Sequence, residues 1–245
     1  MKDLCVFFVN LLATIIQTTT GFGYGIIAMA ILPTFIPYST ALASTGLTSG
    51  FHCLWLAIEN RKYIRWKILL SPIFSYIIFS TITSHIVADQ SNHLMVRILG
   101  GFLIALSIYL LIFSQRIKIN PSPVAGIIAG GLGGICHAAF GMGGPPIVVY
   151  LLAATATPLE YLACIQAYFS ITTIYLNLIR LFQGMFNVQI LLYCIGGFIA
   201  LPLGIWIGKK IFNKFNAKIL RVVVYCFMLF MGLFMLVDCK IKLDT

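Results

Sequence analysis

Six stretches of this chain are apolar, carry little or no charge and run for close to twenty residues each: Ala41–Ile58, Ile68–Ala88, Leu94–Ser114, Tyr161–Phe182, Val188–Gly208 and Ile219–Val237. A helix needs roughly 20 apolar residues to cross hydrocarbon about 30 Å thick. In that medium each unpaired backbone group costs several kcal/mol, so a span must satisfy its own backbone. Only 9% of the residues are charged, whereas a soluble domain carries about 25%. Such a chain cannot clothe a water-facing surface. The expected fold is an all-α polytopic membrane protein whose main partner is the lipid bilayer.

Two further stretches are too long for one crossing. Leu4–Ile36 and Pro123–Leu152 would each make about 45–50 Å of helix, and each carries a glycine cluster near its middle. They also resemble one another. A shift of 118 lays Phe22, Gly23 and Gly25 on Phe140, Gly141 and Gly143; a shift of 122 lays Ile68–Leu70 on Ile190–Leu192; a shift of 124 lays Arg97 on Arg221. The shared order predicts two homologous halves within a single membrane domain. Residues 1–114 form the first repeat, 115–123 a polar, proline-punctuated linker and 124–245 the second repeat. Each half is a glycine-broken helix followed by three transmembrane helices.

The basic loops come at different places in the two halves. In the first, Arg61, Lys62, Arg65 and Lys67 follow the first ordinary span; in the second, Lys209, Lys210, Lys214, Lys218 and Arg221 come one span later. Cytoplasmic loops collect Lys and Arg, so this offset predicts inverted repeats. With both broken segments re-entering, eleven of the sixteen basic residues share one face and both termini lie outside the cytoplasm; with each crossing once, the split is ten to six and eight simple spans make the halves parallel. No secretory leader is evident at Met1–Lys2–Asp3, and the N-terminus is expected to be retained.

A break inside hydrocarbon must be held by protein or by a wet cavity. Glycines at 21, 23, 25, 141, 143 and 144 tolerate unusual backbone angles. Pro145 and Pro146 suit the first turn of a new helix. "FGMGGPP" therefore reads as helix end, loop and helix start, and "TTTGFGYG" reads likewise, with its hydroxyls as caps or pocket donors. A helix start offers free N–H groups and about half a positive charge, which suits an anion. Two such starts converging at mid-bilayer would build a carrier's substrate site. "GIIAGGLGG", Gly126–Gly134, reads instead as a close helix-packing face.

The stretches "TTTGFGYGIIAMAILPTFIP" and "GGLGGICHAAFGMGGPPIVVYLL" resemble the TauE/SafE sulfite-exporter family, as do the twofold repeat, the length and the basic "GKKIFNKFNAKILR". The first half departs from that pattern, since Ile26–Ile27 follow Gly25 where further glycine and proline would stand. The resemblance implies a bacterial inner-membrane, multi-pass transporter with seven or eight spans. It implies small sulfur-containing anions as substrates: sulfite, thiosulfate, organosulfonates or related organic anions.

The residues expected to bind substrate are Thr19, Thr20, Gly21, Gly23, Gly25, His137, Gly141, Gly143, Gly144, Gln166 and Asn177. His137 is read either as a pocket donor open to proton coupling or as a packing histidine, and His52 as a satisfied buried group. Gln17 joins Thr18–Thr20 as a pocket wall. Arg180, near a span end, is read either as a substrate-facing cation or as snorkelling toward the headgroups, and Trp55, Trp66 and Trp206 are expected to anchor at the interface.

The six acids, Asp3, Glu59, Asp89, Glu160, Asp238 and Asp244, all sit at ends or in loops, which disfavours a cation as substrate. The seven cysteines have no metal spacing and read as packing residues, so no cofactor and no metal are expected. The excess positive charge sits in loops and is not a nucleic-acid footprint. Cys136 and His137 are neighbours, about 100° apart on a helix, with no orienting acid beside them, so catalysis is not expected. The nearest rival to a carrier is an anion or solute channel. The sequence leaves homo-oligomerisation open.

Overall fold

The computed structural model describes residues 2–88, 90–113, 120–212 and 217–241, with side chains left aside at 2–3, 113, 212, 217–224 and 238–241. The expected linker at 115–123 and the basic run from Lys214 to Arg221 therefore lie largely outside the described side chains, as do Asp3, Asp89, Asp238 and Asp244. Among the described residues there are ten α-helices and no strand: α1 (Lys2–Thr20), α2 (Tyr24–Ile31), α3 (Tyr38–Glu59), α4 (Trp66–Ala88), α5 (Asn92–Phe113), α6 (Pro123–Phe140), α7 (Gly144–Ala154), α8 (Pro158–Phe182), α9 (Val188–Phe212) and α10 (Ala217–Ile241). Six of them, α3 to α6, α8 and α9, are long and apolar enough to cross a membrane. The outer surface is studded with exposed Leu, Ile and Phe, among them Phe74, Ile86, Leu192 and Phe230. The chain is a multi-pass helical membrane protein.

Small residues set how the helices pair. α6 lies alongside α4 in the same direction, with Gly126 beside Ser71, Gly130 against Pro72 and Gly134 against Tyr76. α9 lies alongside α1 in the same direction, with Gly197 near Asn10, Gly204 on Thr14 and Gly208 on Thr18. α8 runs antiparallel to α3, with Gly50 facing Thr173 and Gly46 facing Asn177. α10 runs antiparallel to α5, where Gly100 meets Gly232 and the Ser107 hydroxyl donates to the Tyr225 carbonyl at 2.6 Å. In lipid, association rests on such close approach and on interhelical hydrogen bonds, since tails are as apolar as leucine.

The two overlong stretches are both interrupted at their glycines. α6 ends in a left-handed Gly141 (φ 72°), whose N–H donates to the His137 carbonyl at 2.9 Å. The Met142 N–H reaches back to the Cys136 carbonyl at 3.4 Å, the pattern that satisfies orphan carbonyls at a helix end. α7 restarts with Pro145 and Pro146 in its first turn. It folds back along α6, so that the Tyr150 hydroxyl donates to the Ile68 carbonyl, near where α4 begins, at 3.1 Å. α1 ends at Gly21 (φ 84°) and Gly23 (φ 110°), and α2 restarts without proline.

The three tryptophans are half exposed near helix ends, and the Lys210 ammonium sits 3.6 Å above the Trp206 ring.

Candidate functional site

Local chemistry places the first break. The Thr20 hydroxyl donates to the Ile16 carbonyl at 2.9 Å and to the Phe22 carbonyl at 2.5 Å, closing α1. No side-chain oxygen caps α2 at Gly23. Instead Gln17, one turn back on α1, accepts the Tyr24 N–H at 2.9 Å through Oε1. Its Nε2 donates to Cys53 Sγ on α3 at 2.9 Å. The expectation that the threonine hydroxyls would cap the new helix is thus corrected. Thr18 pairs with His52 Nε2 at 2.9 Å, and Thr19 donates to the Ile15 carbonyl at 2.7 Å and to Gly208 on α9 at 3.3 Å.

The two breaks touch, backbone to backbone. A Cβ built on Gly25 would lie 1.8 Å from the Gly141 carbonyl oxygen, and one on Gly144 would lie 3.1 Å from the Phe22 ring. Beside this crossing is a cavity of ≈ 30 Å³. The first turns of α2 and α7 both border it, through Gly23, Tyr24, Gly25 and Ile26 on one side and Gly143 and Gly144 on the other. The first N–H groups of a helix have no intrahelical acceptor; Gln17 takes that of Tyr24 and Pro145 and Pro146 carry none, so Gly25, Ile26 and Gly144 supply the main-chain donors beside two positive dipole ends. Side chains complete the lining. Ser49 and Cys53 come from α3, Phe169 and Thr173 from α8, and Gln17 and His137 from beside the breaks. His137 is 5% exposed, and its Nδ1 pairs with the Tyr76 hydroxyl of α4 at 2.7 Å.

Of the residues expected at the site, Gly23, Gly25, His137, Gly141, Gly143 and Gly144 border this cavity. Gly21 instead packs on Tyr161 and Ile165, Thr19 faces α9, and Thr20 is used within its own turn. Gln166 is fully buried and donates to the Gly21 carbonyl at 3.4 Å, bracing the break from behind. Asn177 sits farther along α8, donating to the Gly46 carbonyl at 3.0 Å. Tyr24, Ser49, Cys53, Phe169 and Thr173 were not anticipated; a small or polar pair at i, i+4 on an apolar span, as in Ser49/Cys53, marks a shared helix face but not the cavity that the face lines. Arg180 does not snorkel. It is 1% exposed, inside the bundle between α8 and α3.

No group of His, Cys, Asp or Glu among the described residues could hold a metal ion. The described carboxylates, Glu59 and Glu160, are engaged by Lys209 at 2.5 Å and by Arg65 at 3.9 Å, away from the cavity.

A multi-pass helical bundle in which two interrupted helices meet at a buried, main-chain-lined cavity is the architecture of a membrane transporter. The chain matches the model of the sulfite exporter TauE/SafE family over residues 6–235, and it belongs to that family. It is 22% identical over 224 residues to a probable sulfite/organosulfonate exporter TauE of Cupriavidus necator, covering 86% of this chain and 85% of the relative. It is 26% identical over 193 residues to a probable membrane transporter protein of Methanocaldococcus jannaschii, covering 71% of this chain and 70% of the relative. No solved structure matches it.

Proposed function

We propose that the protein is a secondary transporter of small sulfur-containing anions (sulfite, thiosulfate or an organosulfonate) in the cell membrane, with the substrate held at the paired starts of α2 and α7. The observation that carries this is the backbone crossing of Gly25 and Gly141 beside a cavity lined by both helix starts. Such a site offers hydrogen-bond donors and positive dipole ends without a side-chain charge. At ≈ 30 Å³ it has room for about one water, so a compact oxyanion requires less opening of it than a long dicarboxylate. The name of the Cupriavidus relative points to the same substrate class.

Inverted halves, residues 1–114 and 124–245, account for the packing. The pairs α3 with α8 and α5 with α10 are then equivalent helices crossing antiparallel, and α4 with α6 mirrors α9 with α1. The α6–α7 hairpin returns to the end where α4 starts, and α1–α2 enters from the opposite end. Eleven of the sixteen Lys and Arg sit in or next to the segments joining α3 to α4, α5 to α6 and α9 to α10, which supports a cytoplasmic placement for that end.

Proteoliposomes given radiolabelled sulfite, thiosulfate, a sulfonate and a dicarboxylate, with and without a proton gradient, test this. Saturable uptake of a sulfur anion, trans-stimulated by the same anion inside, is expected. Non-saturating flux would favour a channel, and uptake of none of the four would sink the reading.

The Tyr76 hydroxyl holds the His137 ring at the cavity wall. Tyr76→Phe removes one buried hydrogen bond and is expected to lower transport by roughly threefold to tenfold with an unchanged elution profile. A wild-type rate would show that the orientation of His137 does not matter.

A further inference from the structure

Arg180 is a buried cation to which no described residue supplies a counter-charge. Its Nη1 donates to the Leu42 carbonyl at 3.4 Å, a weak contact, and its Nη2 has no partner among the described residues. Among the described residues no carboxylate lies within ion-pair distance of it; Glu59 and Glu160 are bound to Lys209 and Arg65 at the far end of the bundle. Burying an unpaired charge costs several kcal/mol, and ionisable groups kept within spans usually serve transport. Gly46 is what lets the guanidinium lie here, since a Cβ there would stand 2.7 Å from Nη1 and 2.5 Å from Asn177 Oδ1.

The guanidinium does not point into close-packed core. With Tyr38, Ser84 and Asn92 it lines a second cavity of ≈ 30 Å³, distinct from the one at the breaks. Tyr38 and Asn92 also line a wide cleft of ≈ 530 Å³ bordered by Thr34 and His93. The Tyr38 hydroxyl donates to the Ala139 carbonyl, in the last turn of α6 before the second break. On both α3 and α8 the residues of the two cavities are seven apart, Ser49 from Leu42 and Thr173 from Arg180, which is two helical turns or about 10 Å. The cleft, the arginine cavity and the break cavity thus follow one another along the α3–α8 seam.

We infer that Arg180 is the counter-charge of a second anion-binding station, between the cleft at the α4–α5 end of the bundle and the cavity at the breaks. As a step in transport the station rests on the anion-carrier reading above; as a binding site it stands alone. Its ligand class is a compact oxyanion, which a guanidinium engages through parallel N–H donors.

The test is thermal unfolding of the full chain in detergent, titrated with sodium thiosulfate at ionic strength held constant with gluconate, beside thiosulfate uptake by proteoliposomes. A ligand that binds only the folded state raises the Tm saturably. That rise is expected in the wild type and in Gly25→Ala, whose damage is two turns away. Arg180→Gln should shift the midpoint to at least about tenfold higher thiosulfate, without lowering the Tm in gluconate alone. Arg180→Lys, which keeps the charge but not the fork, should fall between. An Arg180-dependent rise with uptake of none of the four labelled anions by the wild type would uphold the station and sink the carrier reading. A wild-type midpoint in Arg180→Gln, or equal loss of the rise in Arg180→Gln and Gly25→Ala, would overturn the station. So would the absence of any rise in the wild type with thiosulfate, sulfite and sulfate alike.

Discussion

Gly25→Ala is expected to bring anion transport down to the level of protein-free liposomes while the protein still elutes as a single species. The added methyl carbon would lie 1.8 Å from the Gly141 carbonyl oxygen and 2.9 Å from the carbon behind it. Both atoms are main chain at a helix end, so no rotamer change relieves the overlap. The start of α2 and the α6–α7 turn must separate instead, by about 1.5 Å if ordinary van der Waals contact is to be restored. Overpacking of this kind costs roughly 1–3 kcal/mol, within the 5–15 kcal/mol stability of an ordinary domain. Folding survives, but the two sets of N–H donors no longer face one cavity. Gly101→Ala is the control: nothing lies within 4 Å of its added carbon, and alanine is the better helix former. Transport by Gly25→Ala within twofold of wild type would mean that the crossing is not the substrate site.

What could be read in advance, and what could not, follows from the range of the interactions. The interruptions were legible because glycine at positive φ and proline in a first turn act through their own backbone. "FGMGGPP" carries that meaning wherever the chain places it. The long apolar runs were legible because span length is a property of one segment. The side walls of the cavity were not. Ser49 and Cys53 reach it only because α3 packs where Gly46 and Gly50 admit Asn177 and Thr173, and no local pattern announces that register. Gln17 was expected as part of a pocket wall, but its part in capping α2 depends on the angle at which α2 leaves Gly23. The snorkelling reading of Arg180 fails for the same reason. Its place near the end of a span pointed to the headgroups, whereas a glycine on another helix, 134 positions earlier, draws it inside.

The other large effect is expected on folding itself, at Gly130. A Cβ there would stand 2.1 Å from the Pro72 carbonyl oxygen, 2.6 Å from its Cα and 2.7 Å from its carbonyl carbon. This is the inside of the α4–α6 seam, the most extensive helix pairing among the described residues. The seam exists because "GIIAGGLGG" lets α6 lie directly on the α4 backbone. Without a strong hydrophobic force between helices in lipid, close packing of this kind is much of what holds them together. Gly130→Ala is expected to cost about 3 kcal/mol. Gly130→Leu should give no monodisperse protein in detergent, read as loss of the size-exclusion peak and rapid digestion by added protease. Gly131→Ala discriminates position from composition. Its added carbon meets the Phe79 ring and the Ser75 hydroxyl at 3.0 Å, side-chain atoms that can give way, so it should fold and elute as wild type. A folded Gly130→Leu with an ordinary Tm would show that α6 does not rest on Pro72. The cavity at the breaks would then lose its frame, because His137, Gly141 and Gly143 are held in place by that helix and the turn that ends it.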